Sequence, residues 1–283
     1  MEALDFRRLS KIAVSSAYYA VRSTARSLKR LLGRPASERL TILYYHGVPK
    51  EYRPGFARQM AALHRGAVVV PAAYSGRLPA KRGKKCVAIT FDDAFVSFAD
   101  HCIPELEKYS FHSTVFVPVG WMGRTPGWDL EGPATGSAKP PELSEVVMST
   151  GQLRTLGSSV SLGSHTMTHP HLPRLGREQL QEEVANSRVE LARSSGREIS
   201  ELSFPYGEHD AATLVACRAA GYKTVYSIIP EEVDTTRGEL LRGRTKIDPS
   251  DGAIEFFLKY NGAYDWMRYS GRLLRALRSR SRS

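Results

Sequence analysis

The chain has 283 residues and is 42% hydrophobic, enough to bury the core of one large domain, and no stretch approaches the ~20 apolar residues of a membrane-spanning helix. Its net charge of +11 is concentrated at the ends, because residues 1–39 and residues 266–283 each carry +6. The segment between them carries −1, which argues against a nucleic-acid-binding domain, whose own surface would be basic.

Cysteine usage favours a reducing compartment. Cys86, Cys102 and Cys217 are an odd number at unrelated spacings, so we expect neither a disulfide framework nor a cysteine-based metal site. Residues 12–21 faintly resemble a secretory signal but lack a clear cleavage site, and we expect no cleavage there. These observations predict a cytoplasmic protein.

Short apolar runs alternate with helical patterns along the body of the chain. Strands are predicted at residues 41–45, 86–91, 113–119, 160–163, 199–204 and 224–228. Helices are predicted at residues 56–64 and 98–109, from a capping box at Ser149 and Gln152, at residues 177–195 before Gly196, and from Asp210 to Gly221. A Gly- and Pro-rich loop at residues 123–141 is long enough to serve a function. The alternation predicts an α/β barrel or distorted barrel, with an open doubly wound sheet as the alternative.

Two carboxylates follow the strand at residues 86–91, in the sequence Thr90-Phe91-Asp92-Asp93. The carboxyl ends of parallel strands are where α/β folds place their active sites. Adjacent carboxylates repel each other unless a cation intervenes, so one can ligate a metal while the other acts as a base. The alternative is a turn in which one Asp caps the next helix.

Three histidines follow the strand at residues 160–163, at His165, His169 and His171. Two imidazoles four residues apart can bind one metal, and Asp93 as third ligand leaves an open position for water. The alternative is a set of structural or exposed histidines. A third segment, residues 204–207, has the sequence Phe-Pro-Tyr-Gly, a common turn in which Tyr206 could present its amide or ring to a pocket.

Taken together, these segments resemble the polysaccharide deacetylase family (the NodB-homology domain, of carbohydrate esterase type). The family's T-F-D-D motif is similar to residues 90–93, and its H-S/T-x-x-H motif is similar to residues 165–169 with the trailing Pro170 and His171. Its R-x-x-P-Y-G motif is similar to residues 203–207, and the opening strand resembles Tyr45-His46-Gly47-Val48. The resemblance covers about residues 40–250.

The resemblance implies a distorted (β/α) barrel with basic helical extensions at both ends. It implies a divalent metal of the zinc type held by Asp93, His165 and His169. It further implies attack by metal-bound water, with Asp92 as general base and Tyr206 contributing to the oxyanion site. The expected enzyme is a carbohydrate N-deacetylase that removes an N-acyl, mainly acetyl, group from a polysaccharide or a lipid-linked glycan precursor, as in exopolysaccharide or cell-envelope biosynthesis.

Two departures from the family pattern affect the expected chemistry. The third motif lacks its Arg, so we expect Asp92 to lack the usual partner that would orient it. A late Leu-x-His motif, which supplies an acid in many members, is replaced by residues 240–245, where an Arg cannot readily give up a proton. His46, His171 or water are the candidates for the acid that protonates the departing amine.

The basic ends are predicted to form helical extensions at residues 1–39 and 251–283, flanking a catalytic domain at residues 40–250. Residues 266–280 repeat Trp266, Tyr269, Leu273 and Leu277 at helical spacing among arginines, a pattern typical of a membrane-surface or partner-binding helix. The alternative is that both extensions pack on the barrel and keep a solvated basic face. Membrane binding would place the protein at the inner face, with a lipid-linked sugar as substrate.

Three other functions remain open. A deformylase of a lipid-linked amino sugar would use the same chemistry. A glycosyltransferase could hold a metal–nucleotide complex through Asp92 and Asp93, but it has no use for the pair His165 and His169. A glycan-binding protein could retain the pocket after losing the acid.

Overall fold

The computed structural model describes residues 6–32, 39–79, 84–128 and 145–269. Within these ranges the strands are β1 Leu40–Tyr45, β2 Ala67–Val69, β3 Lys85–Phe91, β4 Ser113–Val117, β5 Val160–Ser164, β6 Glu201–Ser203, β7 Thr224–Tyr226, β8 Glu232–Val233, β9 Leu241–Arg242 and β10 Thr245–Lys246. The α-helices are α1 Phe6–Leu31, α2 Arg53–Gly66, α3 Ile103–Glu107, α4 Thr150–Thr155, α5 Arg177–Gln181, α6 Ser187–Ser195, α7 Ala211–Ala219 and α8 Ala253–Tyr260.

The strands form a nearly closed barrel, which confirms the predicted fold class. Their order is β10-β1-β3-β4-β5-β6-β7-β9, and each neighbouring pair along it is parallel. The two end strands, β9 and β10, are separated in sequence only by Gly243 and Arg244, so the chain crosses the remaining gap there. Helices cover the outside, as the burial of parallel strands on both faces requires.

The predicted strands lie within two residues of their observed ends. β4 stops at Val117 because Pro118, which follows it, has no N–H to donate. The predicted helix ends are confirmed where their capping groups were recognised. Ser149 and Gln152 form the capping box of α4, Asp210 accepts from the amide of Thr213 at α7, and Gly196 has a left-handed φ of 72° after α6.

Some elements differ from the predicted pattern. A π-helical segment, Phe98–Cys102, precedes α3, and another, Glu182–Asn186, joins α5 to α6. Four short strands, β2, β8, β9 and β10, were not predicted, and the last three have only two residues each, too few to show a period. Cys86, Cys102 and Cys217 are buried and form no disulfide within the described ranges, as expected of small apolar side chains.

Helix α1 packs on the domain through basic side chains that face inward. Arg8 Nε donates to Glu255 Oε2 at 2.7 Å, and Arg22 and Arg26 form ion pairs with the buried carboxylate of Glu232. The Tyr19 ring contacts the edge of Phe257 on α8 at 5.3 Å. Helix α1 therefore packs on the domain, as one of the two alternatives predicted. Its basic side is only partly solvated, because three of its arginines face acids that are distant in sequence.

The remaining predictions about the ends have different outcomes. Most of the helix predicted at residues 266–280 lies outside the described residues, and the division at residues 39/40 and 250/251 stays a prediction. None of the described helices has the length and apolar character to cross a bilayer.

Acid is expected to weaken the attachment of α1. Burial raises the pKa of Glu232, but Lys85, Arg22 and Arg26 lower it further, from an ordinary 4.5 to about 2. A depressed folded pKa stabilises the fold fully above pH 4.5, and this stabilisation, on the order of 3 kcal/mol, is lost as the pH falls from 4.5 toward 2. We expect thermal melts of Glu232→Gln to depend less on pH in this window than wild-type melts, whereas exposed Glu239→Gln keeps the wild-type profile.

Candidate active site

The three motifs meet at one end of the barrel because each follows a parallel strand. Asp92 and Asp93 come directly after β3, His165 directly after β5, and residues 204–207 directly after β6. The carboxyl ends of these strands lie at the same end of the barrel. They surround a small pocket lined by Tyr44, His46, Asp92, Asp93, Trp128, His165, His169, Phe204, Tyr206 and Ile228.

Asp93, His165 and His169 converge on one point inside this pocket. The Nε2 atoms of both histidines lie 3.6 Å from Oδ1 of Asp93, and all three side chains are buried. Nδ1–H of His165 donates to the carbonyl oxygen of Ser203 at 2.8 Å, which leaves Nε2 as the acceptor nitrogen. The ring of His169 stacks on Trp128 with centroids 4.1 Å apart, and its edge contacts Tyr206.

This arrangement fits a divalent metal. Metal–ligand bonds of about 2.0–2.2 Å in a tetrahedral site place ligand atoms about 3.3–3.6 Å apart. The two distances from Asp93 Oδ1 agree with this range, and all three ligand atoms lie within 4.8 Å of one another. A carboxylate and two imidazoles are ligands that zinc accepts. Burial lowers the pKa of His169 to about 2 and also lowers that of His165, so both rings are neutral, as metal ligation requires.

The loop that carries the histidines is fixed by the protein rather than by solvent. Oε2 of Glu183 accepts from the amides of Met167 and Thr168, both at 2.9 Å. The Thr166 side chain accepts from the amide of His169 at 3.2 Å. These contacts hold the two imidazoles at a defined separation.

Asp92 is held by a buried arginine, Arg244, that lies between β9 and β10. Nη1 and Nη2 of Arg244 donate to Oδ1 and Oδ2 of Asp92, each at 2.8 Å. Arg244 is fully buried, and it also donates to Ser203 Oγ at 2.6 Å and to Thr90 Oγ1 at 3.2 Å. Two-point contact of this kind sets both the position and the plane of a carboxylate.

The expectation that Asp92 lacks an orienting partner is therefore wrong. Arg244 is the partner that orients Asp92, and it belongs to the segment 240–245, which replaces the late Leu-x-His motif. Burial raises the pKa of Asp92, but Arg244, together with His165 and His46, lowers it further in sum, so the pKa lies below its ordinary value and the carboxylate stays ionised. Arg244 lies directly before β10, and no local pattern in residues 240–245 marked it as the partner of Asp92.

Tyr206 and the two candidate acids occupy different positions. Tyr206 and His46 both line the pocket. His171 does not line it, and its ring stacks behind Tyr206 at 4.0 Å while its Nδ1 lies 2.9 Å from Oε2 of Glu208. The structure thus brings together all the predicted site residues except His171, which lies outside the pocket, behind Tyr206.

Strained backbone is concentrated at these motifs. Of six described non-glycine residues with positive φ, five belong to the motif loops: Asp93, Ala94, Thr166, His169 and Tyr206. Residues in this region cost about 1–3 kcal/mol each and persist where the surroundings impose them, typically at functional sites. The clustering supports a catalytic or binding role for the pocket independently of its side chains.

Sequence reasoning missed several pocket residues. Trp128 lies within the loop predicted to be functional, but nothing in its neighbours indicated a contact with His169. Tyr44, Phe204 and Ile228 looked like ordinary strand residues. They line the pocket because they stand at strand ends that only the closed barrel brings together.

The chain is similar to a protein family and to a bacterial relative. A family model described as polysaccharide deacetylase matches residues 80–225, just over half of the chain. YxkH of Bacillus subtilis (strain 168), named as a candidate polysaccharide deacetylase, is 26% identical over 185 residues. That match covers 65% of this chain and 57% of YxkH, so the chain spans less than two thirds of that relative's length.

Solved structures share the fold. The Streptococcus pyogenes deacetylase PplD in complex with acetate has a TM-score of 0.63 at 22% identity, covering 80% of this chain and 99% of its own. IcaB from Ammonifex degensii has a TM-score of 0.63 at 24% identity, covering 80% and 97%. A de-N-acetylase from Aggregatibacter actinomycetemcomitans has a TM-score of 0.61 at 18% identity, covering 78% and 100%. At these identities the likeness establishes the architecture.

Proposed function

The chain belongs to the polysaccharide deacetylase family, and on this premise we propose that it is a metal-dependent carbohydrate N-deacetylase. The observation that carries the proposal is the buried Asp93–His165–His169 cluster beside the ionised Asp92. One centre can bind a metal, and the adjacent carboxylate can accept a proton. Hydrolysis of an N-acyl group on an amino sugar needs both functions.

Each residue of the site has a separate proposed role. A divalent metal, for which the ligand set favours zinc, would be held by Asp93, His165 and His169 and would supply Lewis acidity toward the amide carbonyl. Asp92 takes the proton of the attacking water on the carboxylate oxygen facing the pocket. Tyr206 is proposed to stabilise the negative charge on the amide oxygen.

Arg244 positions Asp92 and restrains its basicity. A carboxylate with a depressed pKa is a weak base, but it stays ionised at every working pH, so no fraction of the enzyme is lost to protonation. Its two-point contact also prevents rotation of the carboxylate away from the attacking water. Arg244 is therefore a positioning residue in this proposal.

His46 is the better placed of the two candidate acids. It lines the same pocket as Asp92, so it can reach the departing nitrogen, whereas His171 lies behind Tyr206. We propose His46 as the group that protonates the amine and His171 as a support for the Tyr206 ring.

Replacing Asp92 with asparagine tests the catalytic part of the proposal. We expect Asp92→Asn to lower acetate release from N-acetylated chito-oligosaccharides by about 10²–10⁴-fold, because the proton acceptor is lost. Metal content, measured by elemental analysis, should stay unchanged because Asp93, His165 and His169 remain. Asp100→Asn, at an exposed position on the π-helical segment, is the matched control and should retain activity.

Other outcomes of this experiment distinguish the alternatives. Undiminished release by Asp92→Asn would contradict its role as base. Metal bound by the wild type with no release from any acylated sugar would identify a glycan-binding protein. Formate release from N-formylated sugars in place of acetate release would identify a deformylase.

The substrate and setting are also proposals. We propose an N-acylated glycan, in a polysaccharide or a lipid-linked precursor, and a cytoplasmic location at the inner face of the membrane. Three buried free cysteines are consistent with a reducing compartment. Exopolysaccharide or cell-envelope biosynthesis is the proposed context.

A further inference from the structure

Helix α1 presents an apolar face to the outside of the molecule. Its exposed large apolar side chains include Phe6 at 82%, Val21 at 70%, Leu28 at 57% and Leu31 at 84%. At 3.6 residues per turn these four fall on one side of the helix, together with the exposed Ala13 and Ala17. We call these six residues the apolar face of α1.

The orientation of this face is imposed by contacts on the opposite side. Arg8, Ser15 and Arg22 are seven residues apart and so lie on one side, and all three contact the domain. Ser15 is fully buried and accepts from Nε1 of Trp266 at 3.0 Å. Ile12 and Tyr19 also pack inward, so α1 carries apolar side chains on both sides and leaves the outer set exposed, which a surface helix normally does not.

The charges on α1 determine which occupant fits the face. The helix contains seven basic residues and no acidic one. Arg7, Lys11 and Lys29 are exposed, and by helical spacing they follow one border of the apolar face. An apolar strip bordered by lysine and arginine is the pattern that inserts among the headgroups of anionic lipids.

A second copy of the chain is a poorer occupant. Symmetric pairing through the apolar face would bring together two helices whose exposed border is basic, at Arg7, Lys11 and Lys29, and like charges would oppose the contact. In sequence, residues 270–283 add five arginines and no acidic residue. The described residues that precede them lie close to α1, because Trp266 donates to Ser15.

We propose that the apolar face of α1 docks the protein on an anionic membrane surface, with the helix lying in the plane of the interface. The docking rests on α1 alone and does not depend on the proposed catalytic function. It has a consequence for that function. The first turns of α1 line a cavity of about 470 Å³ that shares Tyr44 and Ile228 with the catalytic pocket, so a sugar carried by a lipid would arrive beside the active site.

Vesicle binding by the full chain tests the proposal. We expect the wild type to sediment with vesicles of equal parts phosphatidylglycerol and phosphatidylcholine. Binding should weaken as the salt concentration rises, and vesicles of pure phosphatidylcholine should not bind the protein. The double variant Val21→Gln/Leu28→Gln should lower the affinity by about tenfold or more, because both side chains lose their apolar contact with lipid. Its circular dichroism should match the wild type, since both positions face outward.

The matched control is Val189→Gln/Val215→Gln, at two positions that are each 64% exposed on α6 and α7. It should bind vesicles as the wild type does. Equal binding by the two double variants, or no binding by the wild type, would overturn the proposal. So would a wild-type dimer in sedimentation equilibrium that Val21→Gln/Leu28→Gln converts to a monomer, because the face would then serve a second copy. Deacetylation of a soluble substrate, measured in parallel, separates this result from failure of the catalytic proposal.

Discussion

Replacement of His165 by alanine is expected to abolish both metal retention and deacetylation. His165 supplies one of the three ligand atoms and is held for that purpose by the hydrogen bond from its Nδ1 to Ser203. Loss of one ligand from a three-residue site should weaken metal affinity by more than about 100-fold. Elemental analysis of dialysed protein measures the first effect, and acetate release from an N-acetylated oligosaccharide measures the second.

His112→Ala is the matched control for this experiment. His112 is also partly buried and bonds to a neighbouring strand, through the 3.2 Å contact of Nε2 with Ser161 Oγ, but it stands at the opposite end of β4 from the pocket. It should retain metal and activity. Unchanged metal content in His165→Ala would remove the basis of the proposed site, whatever the activity.

The second large effect is expected at Arg244. Arg244→Met leaves Asp92 as a buried carboxylate without its counter-charge, a situation that costs about 3–5 kcal/mol. Against a typical total stability of about 5–15 kcal/mol, this is a large fraction, and we expect the thermal midpoint to fall by roughly 10 °C or more. Deacetylation should be lost because Asp92 is no longer held in place.

A double variant separates the structural effect from the catalytic one. Asp92→Asn/Arg244→Met removes both charges, so we expect it to recover part of the stability lost in Arg244→Met and none of the activity. Arg242→Met is the control, because Arg242 is also buried but donates to the carbonyl of Ala72 and should cost less. No recovery in the double variant would show that Arg244 stabilises the fold through contacts other than Asp92.

Much of the candidate metal site was predictable from the sequence because its residues follow strands. Asp93 and His165 each come soon after an apolar run that forms a strand. Because the carboxyl ends of parallel strands lie at one end of a barrel, the proximity of these residues in space follows from their positions in the chain. The helix caps at Ser149, Asp210 and Gly196 were equally local, since each depends on only a few neighbouring residues. Local rules sufficed in these places.

The partner of Asp92 was not predictable in the same way. Arg244 lies 152 residues from Asp92 along the chain, between strands of only two residues each. Its contact depends on the barrel curving until both edges of the sheet approach each other, a global property that no short pattern encodes. The orientation of α1 on the domain could not be predicted for a related reason. The acids that select the inward face, Glu232 and Glu255, come from the far end of the sequence, so no pattern within residues 1–39 could identify that face.

The position of Arg244 at the gap between β9 and β10 has a consequence for biosynthesis. A nascent chain that has emerged as far as residue 239 already carries all three motifs, yet it lacks the cation that neutralises Asp92. Domains generally fold as units, so the carboxylate remains hydrated until the last strands have been synthesised. Completion of the barrel and neutralisation of Asp92 are therefore one event, and the proposed base is oriented only when the fold is finished.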